Sequence, residues 1–555
     1  MSDRSAAARV VASTAIGSAP SDLARRSRHL LALPLVSTAA LASLGLLPEV
    51  RASASVTWSF WGAAAVLGLW LAWLMAVVAR RGRTLLVQVE LRKQHYLQAC
   101  AQGAVLLYWG FYWREVYRSA HLIAAQLLFA YAFDMLLAWS RRDTYTLGFA
   151  PVPVIFSINL FLWFKAEWFY LQFLLVAVGF AAKELVRWDK DGRRVHIFNP
   201  SSFPLGLCAL ALIVTGSTDM TWGQDIATTL NNPPNIYLMI FLVGLAGQFL
   251  FGVTTMTMSA VVTTYVLGLI YFAATGTYYF VDSYIPIAVF LGMHLLFTDP
   301  STSPRSELGR ILFGMLYGLG VVTLYYVLGR IGAPTFYDKL MAVPLMNLAI
   351  KAIDCLAQGP LRWLDPASLG RALTGRRRNL AYIAVWTGVF VVMSASQAVG
   401  DAHRGQWVTF WLTACEEDRP NACRQAARLA SAYCTSGSPW ACNEYGVLIQ
   451  PALRPEVAAR AFARACELGL SAGCDNLDPR MAERPRRVPP GDGDYLIVVR
   501  GAKGRRSDLA SLTPVELYRR ACVQGFVDGC RRACQEGDPG ACREVERVYD
   551  GPPTL

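Results

Sequence analysis

Ten of the thirteen cysteines stand in five pairs of one spacing: Cys415 with Cys423, Cys434 with Cys442, Cys466 with Cys474, Cys522 with Cys530, and Cys534 with Cys542. The chemistry open to such pairs is oxidation to disulfides. Positions eight apart on one continuous helix are separated by about 12 Å, whereas a disulfide needs Cα atoms within roughly 4.4–6.8 Å. If each pair bonds internally, the chain must reverse between its members, which predicts a tight helical hairpin with one cysteine on each helix. Disulfides persist in oxidising compartments and not in the cytosol, so residues 401–555 are expected outside the cytosol. Zinc is the competing chemistry, but no second C-x2-C and no nearby histidine supplies metal-like spacing. His403 is the only histidine of this tail, and no Ser/His/Asp or Cys/His constellation accompanies it.

The other residues with chemical potential lie in four short words upstream: GRRVHIFNP at Gly192–Pro200, GQDIATTL at Gly223–Leu230, TDPSTSPRSELGRILFG at Thr298–Gly314, and GAPTFYDKLMAVPLMNLAIKAID at Gly332–Asp354. Asn-Pro and Asp-Pro end helices. A helix broken at membrane depth bares N–H and C=O groups, which are tolerated only where protein or a polar ligand satisfies them. A helix N-terminus freed in this way suits a phosphate. Asp134, Lys351 and Asp354 fall in apolar stretches, where charges need a partner or a polar cavity; Asp134 is close enough to a helix end to snorkel. His196 is expected to orient the Phe198-Asn199-Pro200 turn, and His294 to sit satisfied inside a helix. The six histidines offer no pair at haem-ligand spacing.

The elements that must position these words are membrane helices. The chain has 555 residues, 54% of them hydrophobic, with a mean hydropathy of +0.34. Apolar stretches near 30–48, 56–79, 96–113, 120–139, 147–164, 168–186, 202–216, 235–254, 258–275, 283–297, 308–330, 340–356 and 380–399 give about 13 candidate spans, some short or broken by Gly and Pro. With the N-terminus inside, the inside loops carry 24 Lys and Arg and the outside loops six, the arrangement that the positive-inside rule prefers. The basic stretches Arg80–Lys93, Lys183–Arg194 and Arg371–Arg378 are then all inside. An odd number of spans puts the tail outside, where the cysteines also place it. Residues 1–28, with Arg25, Arg26 and Arg28 against the first apolar run, read as a cytosolic tail before an uncleaved signal-anchor. Residues 401–555 hold 21 basic and 20 acidic residues, so about all of the formal charge of +13 resides in the membrane part and reports topology. No nucleic-acid motif argues otherwise. Cys100, Cys208 and Cys355 lie in apolar spans as packing residues.

The expected fold class is therefore all-α: a polytopic membrane helix bundle at 29–400, followed by an extracytoplasmic, disulfide-stapled αα-repeat domain at 401–555. In the tail, A-C-x-x-G-x-x-x-G-C recurs at Ala465–Cys474 and Ala521–Cys530, with a variant at Ala533–Cys542. Cys434 and Cys466 are 32 residues apart, a helix-turn-helix repeat period. This resembles Sel1-like repeats of the cysteine-rich kind over about 410–477 and 513–548. Between the blocks, 478–511 reads as a Pro-, Gly- and Arg-rich loop insertion with one short strand at Tyr495–Val499, and its loss is expected to cost less than loss of a staple. Stacked helical pairs form concave faces, so a periplasmic protein partner is expected there.

The four membrane words, in their order, resemble the RnfD/NqrB family over roughly 95–357. Its members are membrane subunits of the Rnf electron-transport complex and of the sodium-pumping NADH:quinone oxidoreductase. The matches are Phe198-Asn199-Pro200, Thr298-Asp299-Pro300, and Asn347 with Asp354; the stretch Gly148–Phe164 is closer to the enediyne-biosynthesis-type branch. The resemblance implies FMN. In that family the flavin phosphate is joined to the Thr of an S/T-G-A-T word in an outside loop, matched here by Ala227 and Thr228. Asp225 and Ile226 replace its Ser and Gly, and loss of the Gly removes backbone freedom, so any flavin is expected to be held without a covalent bond. Asn199 and Asp299 are carried over as cofactor-site residues. The function implied is that of an inner-membrane subunit of an electron-transfer system, contacting membrane lipid and other redox subunits. The chain lacks the nucleotide- and iron–sulfur-binding parts of those complexes and is at most one subunit of an oxidoreductase. A transporter or export factor for a small organic molecule, and a membrane-anchored scaffold, are the alternatives.

Overall fold

The computed structural model of the protein describes residues 29–190, 192–366, 375–401, 403–450, 455–481, 483–499 and 512–550. The tail at 1–28, part of the basic stretch Arg371–Arg378, and 500–511 of the insertion lie outside the described residues. The regular structure described is helical apart from two short strand pairs. Leu86–Val89 runs parallel to Thr144–Leu147, and Arg187–Lys190 runs antiparallel to Arg193–His196. Two compact units form, one from Met1–Asn231, Ile236–Thr264 and Ile287–Phe390, the other from Asn232–Asn235, Tyr265–Pro286 and Val391–Leu555.

Among the described residues, six helices are long and apolar enough to cross a membrane: Ala54–Arg81, Ala120–Arg141, Thr254–Thr275, Glu307–Arg330, Thr335–Gln358 and Gly375–Ala395. Thirteen full spans are not supported. The stretches at 30–48, 202–216 and 235–254 yield the shorter helices Ala32–Leu44, Ser202–Val214 and Ile236–Phe251. Those at 147–164 and 283–297 yield nine-residue helices, Pro151–Asn159 and Ile287–Leu295. Nine residues rise about 14 Å, half of a hydrocarbon core of about 30 Å. Hydropathy registers removal from water, and here protein supplies it: every residue of Ile287–Leu295 is buried. By contrast, Ala54–Arg81 leaves Trp58, Val66, Leu69 and Trp73 exposed, a lipid-type surface.

The chain after Asn159 shows how broken backbone is satisfied at depth. Gln172 accepts a hydrogen bond from Phe164 N at 3.1 Å and donates to Leu162 O at 3.4 Å. The same amide donates to Gln126 at 3.2 Å, and Gln126 and Asn159 exchange bonds of 3.1 and 2.9 Å. Gln102, Gln126 and Gln172, on three different helices, and Asn159 are all buried. Small residues set a close helix crossing. On Glu307–Arg330, a Cβ at Gly314 would strike Met256 O and Ser259 Oγ, and one at Gly318 would lie 2.8 Å from Ala260 O, the small-xxx-small contact of membrane helices.

In the second unit all five cysteine pairs are bonded as their spacing predicts. Cys415 is joined to Cys423, Cys434 to Cys442, Cys466 to Cys474, Cys522 to Cys530 and Cys534 to Cys542, with Cα atoms 4.4–4.7 Å apart. The disulfides place this helical domain in an oxidising, extracytoplasmic environment. Each pair joins consecutive helices: Val408–Glu416 to Ala422–Thr435 to Pro439–Ile449, Pro455–Glu467 to Ser471–Asp475, and Pro514–Val523 to Val527–Gln535 to Pro539–Asp550. The third residue after each first cysteine is left-handed: Asp418, Gly437, Gly469, Gly525 and Gly537. Its N–H donates to that cysteine's carbonyl, and the next N–H to the preceding residue's, as in Gly469→Cys466 at 2.9 Å and Leu470→Ala465 at 3.0 Å. This is a Schellman stop. It explains the first half of the repeated word. The residue before the second cysteine is Ala422, Ala441, Gly473, Gly529 or Ala541. It must be small because the helices nearly touch; a Cβ at Gly473 would lie 2.6 Å from that of Ala465.

In the described part of the insertion, Tyr495–Val499 is not a strand. Asp492–Val498 is a helix. Tyr495, Val498 and Val499 are buried in one cluster with Val408 and Trp440 of the first block and Leu517, Phe526 and Ala541 of the second. β-Branched content favours a strand, but the 3–4 spacing of these three side chains suits one helical face, and burial decides. Asp494 accepts from Ser438 Oγ, from Trp440 N at 3.2 Å and from Gly491 N at 2.8 Å. Arg486 O accepts from Asn443 and Asn476, each at 2.9 Å.

Arg487 reaches the buried Glu444 at 3.4 Å. Burial raises the Glu444 carboxyl from 4.5 to about 7, with Arg487 opposing and Glu416 reinforcing the shift. The folded state therefore binds this proton more tightly than the unfolded chain. Its contribution is fully present below pH 4.5, is lost as pH rises toward 7, and is flat above. Glu444→Gln is expected to match the parent's stability near pH 4 and to exceed it at pH 8, by an amount on the order of 3 kcal/mol. Melting of both proteins across that range checks the sign; a variant less stable at pH 8 would show that the Arg487 pair outweighs desolvation.

Candidate functional site: a charged cavity at one end of the bundle

Three of the four words converge. Asn199 Oδ1 accepts from Ser201 N at 2.9 Å, Ser201 Oγ at 2.8 Å and Ser202 N at 3.2 Å, capping helix Ser202–Val214. Its Nδ2 donates to Leu296 O at 3.1 Å, across to the chain leading into the second turn. There Asp299 accepts from Ser301 N at 2.9 Å and Ser301 Oγ at 2.6 Å. Asn347 ties both turns, accepting from Asn199 N at 3.1 Å and donating to Thr302 O at 3.4 Å. His196 faces the Asp299 turn rather than its own: Nε2 is 2.9 Å from Ser301 Oγ and 3.6 Å from Asp299. Burial pushes the Asp299 carboxyl up, but its bonds from His196 and Ser301 prevail and hold it below the usual carboxylate range. Gly179 makes the turn's position possible, since a Cβ there would strike Pro200 O.

Beside these turns lies a cavity of about 660 Å³, within the range of small-molecule sites. The hairpin 187–196, the paired strands and the end of helix Tyr170–Leu185 bring five fixed cations to it: Arg92, Arg142, Lys183, Arg187 and Arg194. Glu90, Asp134, Glu184 and Asp299 face them. Glu184 binds Arg142 at 2.8 Å and Arg187 at 2.7 Å, and Glu90 binds Arg92 at 3.0 Å. No described carboxylate lies within ion-pair distance of Lys183, which stands over the Phe180 ring. Asp134 accepts from Tyr145 at 3.3 Å and lines the cavity. Nδ1 of His95, another lining residue, is buried and has no protein partner.

The capping geometry revises the expectation of a phosphate at the freed helix ends. Asn199 and Asp299 line the cavity, yet the N–H groups that a phosphate would use already bond to their own side chains. The anion-binding capacity lies in Lys183, Arg194 and Arg92 instead. Ala227 and Thr228 are elsewhere. They sit in helix Gly223–Thr229, and Thr228 Oγ1 is exposed and donates to Gln224 O and Asp225 O, each at 3.1 Å. Neither residue lines the cavity. The neighbouring Thr229 accepts from Trp109 Nε1 at 3.3 Å. Trp109 is fourteen residues along the same helix from His95, about 21 Å of rise. The attachment word and the cavity are thus at opposite ends of helix Lys93–Tyr112.

Lys351 stands over the Trp188 ring at 4.7 Å, and Asp354 accepts from Arg305 N at 3.0 Å. His294 is buried with Nδ1 2.7 Å from Phe290 O. In sequence the basic stretch Lys183–Arg194 reads as a topology signal only, and His95 and Glu184 belong to no motif. The buried amides do carry a signal: Gln102, Gln126, Asn159 and Gln172 each interrupt an apolar stretch, at 96–113, 120–139, 147–164 and 168–186. Among the described residues no group of three or more His, Cys, Asp or Glu gathers as metal ligands. No family model, curated protein or solved structure matches this chain.

Proposed function

We propose that the chain is a membrane subunit of an electron-transfer system, resembling the RnfD/NqrB family, and that it binds an anionic flavin such as FMN in the charged cavity. The observation that carries this reading is the cavity itself: sized for a small cofactor, with no described carboxylate paired to Lys183 and a buried His95 nitrogen without a partner among the described residues. Lys183, Arg194 and Arg92 would hold the phosphate, and His95 would bond a polar edge of the ring system. A bound flavin would supply one- and two-electron transfer. In this reading the membrane is the bacterial inner membrane, with the N-terminus and the cavity cytosolic and the Sel1-like repeats periplasmic. A protein partner would engage the repeats' outer helix faces, since their own helix Asp492–Val498 is packed between the two blocks.

The visible spectrum of the purified protein tests this. Flavin absorbance near one equivalent is expected, released on denaturation because no covalent bond is made. Lys183→Gln with Arg194→Gln is expected to lower occupancy about tenfold or more, charge-assisted bonds being worth about 1.5–3 kcal/mol each. A flavin-free preparation from a flavin-replete host overturns the reading. One observation favours the runner-up, an exporter of a small organic anion: Ser157 lines the cavity and bonds Gln102 at 2.7 Å, and the Gln126, Asn159 and Gln172 amides lie deeper in the same unit. Ligand flux in vesicles without flavin would support it.

A further inference from the structure

We propose that the repeat unit binds the phosphate headgroup of an anionic phospholipid, in an arginine-lined groove at the base of the domain. The groove, of about 920 Å³, is lined by Arg404, Arg419, Arg519 and Arg547 against two carboxylates, Asp538 and Glu544. Arg519 pairs with Asp538, Arg547 lies 3.8 Å from Glu544, and Arg419 pairs with Glu417; Arg404 stands outside these pairs, and the lining as a whole is net positive. Trp407, Phe410 and the exposed Val523 supply apolar wall.

What fixes the occupant is where the groove lies on the chain. Gln397, a lining residue, is two positions past the end of membrane-type helix Gly375–Ala395. Arg419, another, donates to Gly276 O at 2.9 Å, directly after membrane-type helix Thr254–Thr275. Thr277 and Pro420 bond at 3.2 Å, and Asn421 reaches Tyr271, inside the same helix, at 3.4 Å. Asn235 N, just before the apolar helix Ile236–Phe251, donates to Asp401 at 2.7 Å. Three apolar helix ends are therefore bound into this unit, two of them at residues that line the groove, which sets it at headgroup level.

Arginine is the residue of choice for phosphate, through parallel N–H···O bonds, and tryptophan favours the interface. A free phosphate would leave the apolar wall without a partner; a lipid fills both halves. The proposal does not depend on the flavin reading.

The test uses the full chain in nanodiscs, with benzoylphenylalanine at Val523. Irradiation in discs of phosphatidylglycerol and phosphatidylcholine should give a phosphatidylglycerol adduct on the peptide carrying the probe, and little adduct in discs of phosphatidylcholine alone. Arg404→Gln with Arg547→Gln should reduce it about fivefold for each arginine removed, while Arg404→Lys with Arg547→Lys should retain most of it, and an unchanged disulfide map certifies folding. Equal adducts from both lipids, or insensitivity to the glutamine changes in a folded protein, overturn the proposal. Loss of the adduct in millimolar inorganic phosphate assigns the groove to free phosphate, and an adduct to an added acidic peptide in preference to lipid assigns it to a protein; either result overturns the lipid.

Discussion

Deleting Arg484–Val499 is expected to unfold the repeat domain, and to do more damage than removing a disulfide. The segment looks dispensable by composition, and loop length costs little. Its burial is what matters. Tyr495, Val498 and Val499 are 0%, 2% and 1% exposed, and burying side chains of this size contributes about 1.5–3 kcal/mol each. Asp494 adds bonds to Ser438, Trp440 and Gly491. The total is on the order of 6–13 kcal/mol. A staple closing so short a loop stands at the low end of about 2–5 kcal/mol. The comparison is full-length parent, deletion, and Cys466→Ala with Cys474→Ala, followed by melting and limited proteolysis of the tail. A deletion variant that melts with the parent while the cysteine variant does not would show that helix Asp492–Val498 is not core.

That segment marks the limit of what sequence can show. The cysteine hairpins, from Cys415 and Cys423 to Cys534 and Cys542, are legible because their constraint is local: eight residues, one bond length and one turn type. The recurrent glycine three places after the first cysteine is part of the same local word. Tyr495–Val499 depends on partners up to about ninety residues away, such as Val408, and no local pattern encodes them. The membrane region divides in the same way. Long helices such as Ala54–Arg81 carry their own length in the hydropathy. Ile287–Leu295 is as apolar but only nine residues long, and only the surrounding protein explains how its ends are satisfied. For the site, Asn199 and Asp299 stand beside prolines at helix breaks, Asn347 stands three residues after Pro344 inside a continuous helix, and the fold does bring the three together. Their roles are not legible, because a side chain that caps its own turn and one that cradles a ligand look alike in sequence. Thr228 rests on resemblance alone, and the fold puts it at the far end of a helix from the cavity.

Gly314→Leu is expected to prevent stable assembly of the bundle, whereas Gly320→Leu on the same helix is expected to be tolerated. The two positions differ in what a side chain meets. At Gly314 it meets Met256 O and Ser259 Oγ, and backbone cannot rotate aside; at Gly320 the nearest atom is the Ala342 Cβ at 3.9 Å. Overpacking commonly costs about 1–3 kcal/mol, and a clash against backbone at a helix crossing lies at or above the top of that range. Helices Thr254–Thr275 and Glu307–Arg330 cannot simply part, because Glu307 pins their ends together. It accepts from Thr255 at 3.0 Å and pairs with Arg310 at 2.9 Å, and Arg310 in turn donates to Gly252 O at 2.7 Å. Separation at Gly314 therefore breaks the Thr255–Glu307 and Arg310–Gly252 hydrogen bonds as well as packing, while the Glu307–Arg310 pair within one helix stays; hydrogen bonds to charged groups contribute about 1.5–3 kcal/mol each. Phe251 and Asp299, which flank this pinned end in sequence, both line the charged cavity, so a tolerated but loosened variant should lose ligand before it loses its fold. Size-exclusion profile and melting of the two variants, with ligand occupancy as the second readout, separate these outcomes. Equal behaviour of Gly314→Leu and Gly320→Leu would mean that the close crossing is not what holds these helices together.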